Sequence, residues 1–436
     1  MVRRAARTPL FSGGTLGATV NIIRFRCVSG FWGVACRLVV LTAGLGSATA
    51  ALCASQAVVA RAVLPSLVRG CVETYDPDKD YFPDKVSVED AANFTVTYHR
   101  SYKVVQTRTG SHGSAERYVL VQCGAPTPPL QGDLAGAHVV AVPIASLYSA
   151  STTHLSPLVD LERLDVLTGV STKKFLIGDE IVKRARSSQV REFAPASVID
   201  TELVVSQRPS LFMTGESTSA ELGVIRQAGI PVVANHEWLE QTALARAEWL
   251  KYIAVFLNEE RSAQRLYREM KARYQALSAR AVAIPDDRKP TVMTGRGSRG
   301  EFVVAGGRSY VAALIKDAGG HYVWADNTAT ASVTIDLEAQ LERAGAADVW
   351  INGGGWSDLA AIVTDEPRYG LFKAYRTGQV WVYERRATPT GANDYWSRGV
   401  SHPDVVLADL VKIFHPGLAT QHEFQWYLQV PAHRAR

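Results

Sequence analysis

The residues best suited to chemistry are aromatic, charged and polar side chains near the ends of predicted strands. In chain order they are Tyr148, Ser149, His154, Glu216, Arg296, Tyr310, Trp356, Arg386, Tyr395 and Trp396. Flat aromatic faces and guanidinium groups suit a bulky, partly anionic organic chelate. A naked metal ion would instead need a tight shell of carboxylate or imidazole ligands. We therefore expect these residues to line a ligand-binding cleft, with no direct metal ligand and no catalytic residue among them.

Two of these positions have a second interpretation. His154 either faces the cleft or lies on a helix face with an ordinary hydrogen bond. Trp356 follows three glycines in INGGGW, residues 351–356. Glycines let a backbone approach a ligand closely, but the same residues also fit a tight strand-to-helix turn with Trp356 in the core.

The sequence GRGSRG, residues 295–300, matches the pattern G-x-G-x-x-G and follows a short apolar strand. A dinucleotide site also requires a helix that begins within the motif, so that its N-terminus meets the pyrophosphate. The next residues, EFVVAGG, are instead typical of a strand. We therefore expect a loop that faces the cleft, with a dinucleotide-binding enzyme as the weaker alternative. The sequence contains no H-E-x-x-H, G-x-S-x-G or C-x-x-C motif.

The closing stretch, residues 393–418, combines two histidines with an aromatic pair. Its apolar positions recur on one face of a predicted helix over 403–414, with Pro403 in the first turn. His402 and His415 therefore lie at opposite ends of about three helical turns, too far apart to share a metal. Tyr395 and Trp396 precede the helix, and the sequence leaves open whether they contact a ligand or form the floor of the lobe.

Composition narrows the class of protein. The chain has 436 residues, 47% hydrophobic and 20% charged, which is enough for two hydrophobic cores. Eight of the 47 basic residues lie in 1–71, where there is no Asp or Glu, so the remainder has 39 basic against 42 acidic residues. This balance argues against a nucleic-acid-binding protein.

Residues 1–62 are typical of a targeting segment. Arginines precede an apolar run over 38–60 that is rich in Ala, Gly and Ser. This pattern predicts a signal peptide and an exported protein, with a retained N-terminal membrane anchor as the alternative. Beyond the targeting region only Cys71 and Cys123 remain. They could pair in an oxidising compartment, or Cys71 could carry a lipid, although Arg69 fits a lipidation signal poorly.

Strands interleaved with helices follow a β-rich beginning, which indicates an α/β protein with two Rossmann-like lobes. VIRQAGIPVV (224–233) and LIKDAGGHYV (314–323) repeat the same helix end, Ala-Gly stop and strand once in each lobe. We predict a targeting segment (1–62), a β-rich extension packed on the first lobe (72–136), an N-terminal lobe (137–240), connecting helices (241–282), a C-terminal lobe (286–418) and a tail (419–436).

The connecting segment has apolar residues at helical spacing and no Gly or Pro. The sequence Asn258-Glu259-Glu260 predicts a break between two helices. Since a helix is stiff, we expect the two lobes to close by only a small motion.

The ordered set of motifs resembles one family. The segments are VPIASLYSASTTHLSPL, PSLFMTG, LGVIRQAGIPVV, GGRSYVAALIKDAGG, IDLEAQLERAGAADVWI, FKAYRTGQVWVY and YWSRGVSHPDVVLADLVKIFHP. Over about residues 138–418 they are similar to the iron-siderophore and cobalamin class of ABC-transporter substrate-binding proteins, the helical-backbone class III. No single motif is diagnostic, but their order is specific.

The resemblance implies a monomeric, non-enzymatic protein without a cofactor. Such a protein is periplasmic. It captures an Fe(III) siderophore, or alternatively cobalamin or haem, in the cleft between its two lobes and delivers it to an ABC permease and ATPase complex. It also implies that one exposed carboxylate on each lobe docks to the permease. Glu221 and Glu338 occupy comparable positions, although each also fits an ordinary helix-surface acid. A sensor or scavenging protein without a permease would share the fold.

Overall fold

A four-stranded sheet forms the N-terminal extension. The structure is a computed structural model that describes residues 65–108, 115–216, 218–298 and 300–432, all within the compact unit Ala62–Arg436. The predicted targeting segment therefore lies outside the described residues. The strands of the extension are β1 (Phe94–Tyr98), β2 (Tyr102–Arg108), β3 (Ala115–Gln122) and β4 (His138–Val142). The first three are antiparallel, and β4 pairs with β3 in parallel.

The strand β4 corrects one predicted boundary. We expected the N-terminal lobe to begin at residue 137, but His138–Val142 belongs to the sheet of the extension. The sequence HVVAV fits a partly buried strand in either sheet, because a strand pattern does not identify the partner strand.

The N-terminal lobe contains a parallel five-stranded sheet in the order β7-β6-β5-β8-β9. Its elements are β5 (Leu147–Ser149), α1 (Leu155–Asp160), β6 (Leu167–Val170), α2 (Asp179–Arg186), β7 (Arg191–Glu192), α3 (Thr201–Gln207), β8 (Leu211–Thr214), α4 (Ala220–Gln227) and β9 (Val232–Ala234). Helices alternate with strands along the chain, which is the arrangement expected of a Rossmann-like lobe.

Three helices connect the lobes: α5 (Ala243–Ala247), α6 (Trp249–Leu257) and α7 (Glu260–Val282). Every residue of α6 is buried, because the helix lies between the extension and the N-terminal lobe. The predicted break is confirmed at Asn258, which has a left-handed backbone with φ of 56°.

The C-terminal lobe contains two sheets. Its elements are β10 (Thr291–Thr294), β11 (Arg296–Ser298), β12 (Glu301–Ala305), α8 (Tyr310–Asp317), β13 (His321–Tyr322), β14 (Ser332–Asp336), α9 (Leu337–Ala344), β15 (Val349–Ile351), α10 (Leu359–Asp365), α11 (Lys373–Arg376), β16 (Val380–Val382), α12 (Pro403–Phe414) and β17 (Leu428–Gln429). The larger sheet has the order β13-β10-β15-β16-β17, and β11, β12 and β14 form a small antiparallel sheet. The predicted α/β fold with two lobes is confirmed.

The segment 419–436, predicted as a tail, contributes to the core of the C-terminal lobe. Its strand β17 pairs antiparallel with β16, and Trp426, Tyr427 and Val430 are buried. The sequence after Pro416-Gly417 lacks a long periodic pattern, so a two-residue strand held by its neighbours could not be recognised.

A buried ion pair joins the extension to the connecting helices. The ammonium group of Lys103 on β2 donates to the Glu260 carboxylate at 2.6 Å and to the Asn258 side-chain oxygen at 2.8 Å. Lys103 and Glu260 are fully buried. Because an unpaired buried charge is costly, this pair holds β2 at the start of α7.

Cys71 and Cys123 form a disulfide, with 4.6 Å between their Cα atoms. The bond ties the start of the extension to the end of β3, and it leaves the Cys71 thiol unavailable for a lipid. In the part of the chain that the structure describes, no helix is both long and apolar enough to cross a membrane.

Candidate ligand-binding site

A cavity of about 340 Å³ lies where three parallel strands of the C-terminal lobe end. Gly295, Asn352 and Tyr383, which follow β10, β15 and β16, all line it. Open α/β sheets bind ligands outside the carboxyl ends of their strands. We call this space the C-lobe cavity. Four of the predicted cleft residues also line it: Arg296, Tyr310, Tyr395 and Trp396.

Three aromatic side chains, Tyr383, Tyr395 and Trp396, form one side of the C-lobe cavity, and we call them the aromatic wall. The two tyrosine rings stack with centroids 4.7 Å apart. Trp396 meets them edge-on at 5.5 and 5.1 Å. Trp396 is 39% exposed, whereas Tyr395 is only 3% exposed. The wall therefore offers the indole of Trp396 to a ligand, and Tyr395 supports it from beneath.

The phenol groups around the cavity are neutral. Burial and the nearby Glu384 carboxylate raise the pKa of Tyr383 to about 12. Burial also raises the pKa of Tyr395 well above its ordinary value, and it raises that of Tyr310, against the opposing charge of Arg246. A neutral phenol can donate a hydrogen bond to an oxygen atom of an anionic ligand.

Arg296 supplies positive charge at the C-lobe cavity. Its Nη2 donates to the Asp365 carboxylate at 2.6 Å, and its guanidinium lies 5.2 Å from the ring centroid of Trp356. Trp356 is buried and donates from Nε1 to the same Asp365 carboxylate at 3.2 Å. Of the two interpretations of Trp356, the structure matches the core one, since Trp356 lies beneath Arg296 and does not line the cavity.

The motif GRGSRG is a β-hairpin and not a dinucleotide site. Its first residues continue into β11, which pairs antiparallel with β12, and Arg296 lies opposite Val303. No helix begins within the described part of the motif. Gly295 has a φ of 96°, and a Cβ atom there would lie 1.8 Å from the Val303 carbonyl oxygen. The dinucleotide alternative is therefore wrong, because the glycines serve close packing of strands.

Arg386 lies away from the C-lobe cavity. Its Nη2 donates to the Gln425 side-chain oxygen at 2.6 Å, and its Nη1 is 3.5 Å from the Asp394 carboxylate. Together with Arg398 and His402 it lines a second cavity of about 420 Å³. The expectation that Arg386 shares one cavity with Arg296 is not matched, because Gln425 and Asp394 hold the Arg386 guanidinium at the second cavity.

Three predicted cleft residues of the N-terminal lobe are buried inside it. Tyr148 is 1% exposed and stacks on Phe193 with centroids 5.4 Å apart. Ser149 Oγ and His154 Nδ1 are hydrogen-bonded at 3.0 Å. Burial lowers the pKa of His154 to about 3, so its imidazole is neutral. Tyr148, Ser149 and His154 thus support the lobe from within and do not form its surface.

Glu216 is the predicted N-lobe residue that remains on the surface. It is exposed just after β8. Trp238, which we did not predict, is 56% exposed nearby, and its Nε1 donates to the Gly215 carbonyl oxygen at 3.4 Å. We also did not predict Tyr383. It directly follows the strand VWV, and Arg296 was predicted because of a similar position near the end of a strand.

Arg246 on α5 contacts both lobes, and nothing in its helical sequence context indicated this. Its Nε and Nη2 donate to one carboxylate oxygen of Glu237 in the N-terminal lobe at 2.9 and 2.6 Å. Its guanidinium also lies 4.5 Å from the ring centroid of Tyr310 in the C-terminal lobe. Arg246 therefore fixes one side of the C-lobe cavity relative to the connecting helices.

A comparison with protein families decides the class of this chain. The family described as periplasmic binding protein matches residues 144–387, more than half of the sequence. The chain belongs to this family. The matched region begins just after β4, so the extension precedes the part that the family shares.

Relatives of this periplasmic binding protein include two uncharacterized lipoproteins of Methanocaldococcus jannaschii. One is 27% identical over 327 residues, 72% of this chain and 75% of that protein. The other is 24% identical over 234 residues, 52% and 57% of the two chains. A solved periplasmic binding protein from Veillonella parvula has a TM-score of 0.51 at 11% identity, over 72% of this chain and 98% of that one. This last likeness shows the fold.

The two predicted docking carboxylates of the periplasmic binding protein lie one on each lobe. Glu221 is in the first turn of α4, and Glu338 is in the first turn of α9. Hydrogen bonds from its own backbone N–H and from Ser219 lower the pKa of Glu221. Glu338 is exposed. Both positions also suit the positive end of a helix dipole, so docking stays a prediction.

Proposed function

We propose that this periplasmic binding protein captures an Fe(III)-siderophore in the C-lobe cavity and delivers it to an ABC permease. The observation that carries the proposal is the pairing of the aromatic wall with Arg296 at the carboxyl ends of β10, β15 and β16. A flat aromatic face packs on the organic part of a chelate, and a guanidinium matches its anionic oxygen atoms.

The donor set favours a chelated metal over a bare ion. Among the described residues, no group of three or more His, Cys, Asp or Glu side chains is arranged to hold a metal ion. The phenols at the cavity are neutral, so they offer hydrogen bonds to a ligand that brings its own metal-binding oxygen atoms. Membership of a binding-protein family also favours capture and release over turnover.

Delivery rests on the two lobe carboxylates and on export. Glu221 and Glu338 project from helices on different lobes. A permease surface with two basic patches at the same spacing would contact both carboxylates at once. The names of the Methanocaldococcus jannaschii relatives support export of this chain. Because Cys71 is in a disulfide, a lipid anchor on that residue is not part of the proposal.

Tryptophan fluorescence tests the ligand class. The panel is a ferric catecholate, a ferric hydroxamate and a ferric carboxylate siderophore, with cobalamin and haem as the alternative ligands. Since Trp396 is exposed at the cavity, we expect saturable quenching by a ferric siderophore and a smaller quenching amplitude in Trp396→Phe. The variant Trp238→Phe controls for an exposed tryptophan that lies outside the C-lobe cavity.

Quenching by cobalamin or haem alone would replace the siderophore with that ligand. Quenching by no member of the panel would contradict the proposed chelate class. The protein could instead bind a ligand for which its own cell has no permease. That result would favour the sensor or scavenging role over transport.

A further inference from the structure

Two of the three residues of the aromatic wall lie on a short π-helix that contacts the opposite lobe. This π-helix, Tyr395–Gly399, carries Tyr395 and Trp396. It packs against α1 and against the 3-10 turn Thr152–His154, both in the N-terminal lobe. π-helical turns are rare and frequently occur at functional sites. The position of the wall therefore depends on how the two lobes meet.

One side chain links this π-helix to the N-terminal lobe. His402 precedes α12, and its Nδ1 lies 3.0 Å from the carbonyl oxygen of Arg398. Its Nε2 lies 3.4 Å from the Asp160 carboxylate at the end of α1. Both neighbours are hydrogen-bond acceptors. Only the protonated imidazolium can donate from both ring nitrogens at once, so this arrangement selects the charged form of His402.

We propose that His402 is a positioning residue that, when charged, ties the π-helix bearing Tyr395 and Trp396 to Asp160 of the N-terminal lobe. The imidazolium then holds the two lobes together at this corner and fixes the aromatic wall. This role deepens the proposed function, because it takes the aromatic wall as part of the ligand site. Loss of the proton removes one of the two donors and loosens the contact.

Arg398 on the π-helix is the other charged group that acts on His402 besides Asp160. Arg386, His422 and Glu423 line the same 420 Å³ cavity, and Asp404 on α12 is paired with Arg273. Burial alone would lower the pKa of His402, but the hydrogen bond and charge of Asp160 and the Arg398 carbonyl raise it overall, against the charge of Arg398.

The sign of the pH dependence follows from this raised pKa. When the lobes separate, His402 loses Asp160 and returns toward its ordinary pKa of about 6.5. The contact is therefore fully stabilised below about pH 6.5 and is lost as the pH rises through the higher pKa of the joined state. For every unit by which joining raises this pKa, the ratio of joined to separated molecules changes about tenfold between low and high pH.

Spin-label distances in the ligand-free full chain test the proposal. Labels at Lys183→Cys on α2 and Glu342→Cys on α9, both exposed, report the separation of the lobes, with Cys27, Cys36 and Cys53 replaced by Ser. We expect a short, narrow distance distribution at about pH 5.5 and a longer, broader one at about pH 8.5, on either side of the ordinary histidine pKa.

Variants identify the group responsible. His402→Gln and Asp160→Asn should each show the longer distribution at both pH values. His422→Gln is the matched control, because His422 pairs with Asp409 within its own lobe and should keep the pH response. The proposal is overturned if the wild-type distances do not change with pH, or if His402→Gln and Asp160→Asn retain the wild-type response. Because no ligand is used, the outcome of the distance measurement does not depend on whether the siderophore titration succeeds or fails.

Discussion

Tyr395 and Trp396 are neighbours in the chain but have different roles at the C-lobe cavity. Tyr395 is buried and stacks on Tyr383, so it fixes the orientation of the wall. Trp396 is partly exposed and presents its indole to the cavity. A ligand that packs on Trp396 meets a surface already held rigid by two phenol rings, which reduces the entropy cost of binding.

His154 provides a pH-dependent test of the N-terminal lobe. Its pKa is about 3 in the folded protein because of burial, against about 6.5 in an unfolded chain. Below about pH 6.5 the unfolded state binds a proton that the folded state does not. The stability is therefore complete above about pH 6.5 and decreases as the pH falls toward the folded pKa.

We expect His154→Asn to lose less of its free energy of unfolding than the wild type between about pH 7 and about pH 4. Urea unfolding at several pH values measures this difference. His138→Asn is the control, since His138 is exposed on β4 and its replacement should leave the wild-type slope unchanged. An unchanged slope in His154→Asn would show that His154 is not buried in its neutral form.

Sequence patterns located strand ends well but not the direction of each side chain. Arg296 and Tyr148 were both predicted from strand-end positions, yet Arg296 lines the C-lobe cavity and Tyr148 lies in the core. Successive side chains of a strand point to opposite faces, so a shift of one residue exchanges surface for core. Trp356 lies within the core for a different reason, because its loop folds back over Trp350.

The extension is fixed to the connecting helices by buried carboxylates. Glu248, just before α6, accepts backbone N–H groups of Asp90 and Ala91 at 2.6 and 2.7 Å. It also accepts the Glu89 N–H at 2.9 Å and the Lys251 ammonium at 2.6 Å. This arrangement places the loop before β1 directly on the connector, which stiffens the element that joins the lobes.

Replacing Glu248 should weaken this attachment strongly. In Glu248→Ala the loop N–H groups lose their acceptor and the buried Lys251 loses its main partner, at a cost of about 3 to 5 kcal/mol. Urea unfolding gives the free energy, and limited proteolysis should show earlier cleavage in residues 86–93. Glu269→Ala on the exposed face of α7 is the control, with a change within about 0.5 kcal/mol. Equal stabilities of the two variants would contradict the assigned role.

The connecting helices were predictable from sequence, whereas the partners of short strands were not. The segment 241–282 has helical spacing without Gly or Pro, and the break at Asn258 appears where expected. The strand β4 and the two-residue β17 depend on neighbours that are distant in sequence. Their assignment requires knowledge of tertiary packing, which a single sequence does not supply.

The whole molecule combines a frame of connecting helices with a proposed ligand surface that lies mainly on one lobe. The extension and the N-terminal lobe enclose α6, and Arg246 extends the contact to Tyr310 in the C-terminal lobe. We expect such a frame to allow only small relative motions of the lobes. Under the proposed function, the aromatic wall then needs little rearrangement to receive a rigid chelate, and release depends on small changes where the lobes meet.

Calorimetric titration of cavity variants tests the central claim most directly. The ligand is the ferric siderophore that quenches tryptophan fluorescence most strongly, and the proteins are the wild type, Arg296→Gln, Trp396→Ala and the control Arg308→Gln, an exposed arginine outside the C-lobe cavity. We predict that the Kd rises about tenfold or more in each cavity variant, at a cost of about 1.4 kcal/mol, and is unchanged in Arg308→Gln. Wild-type affinity in both Arg296→Gln and Trp396→Ala would contradict the assignment of this cavity as the ligand site.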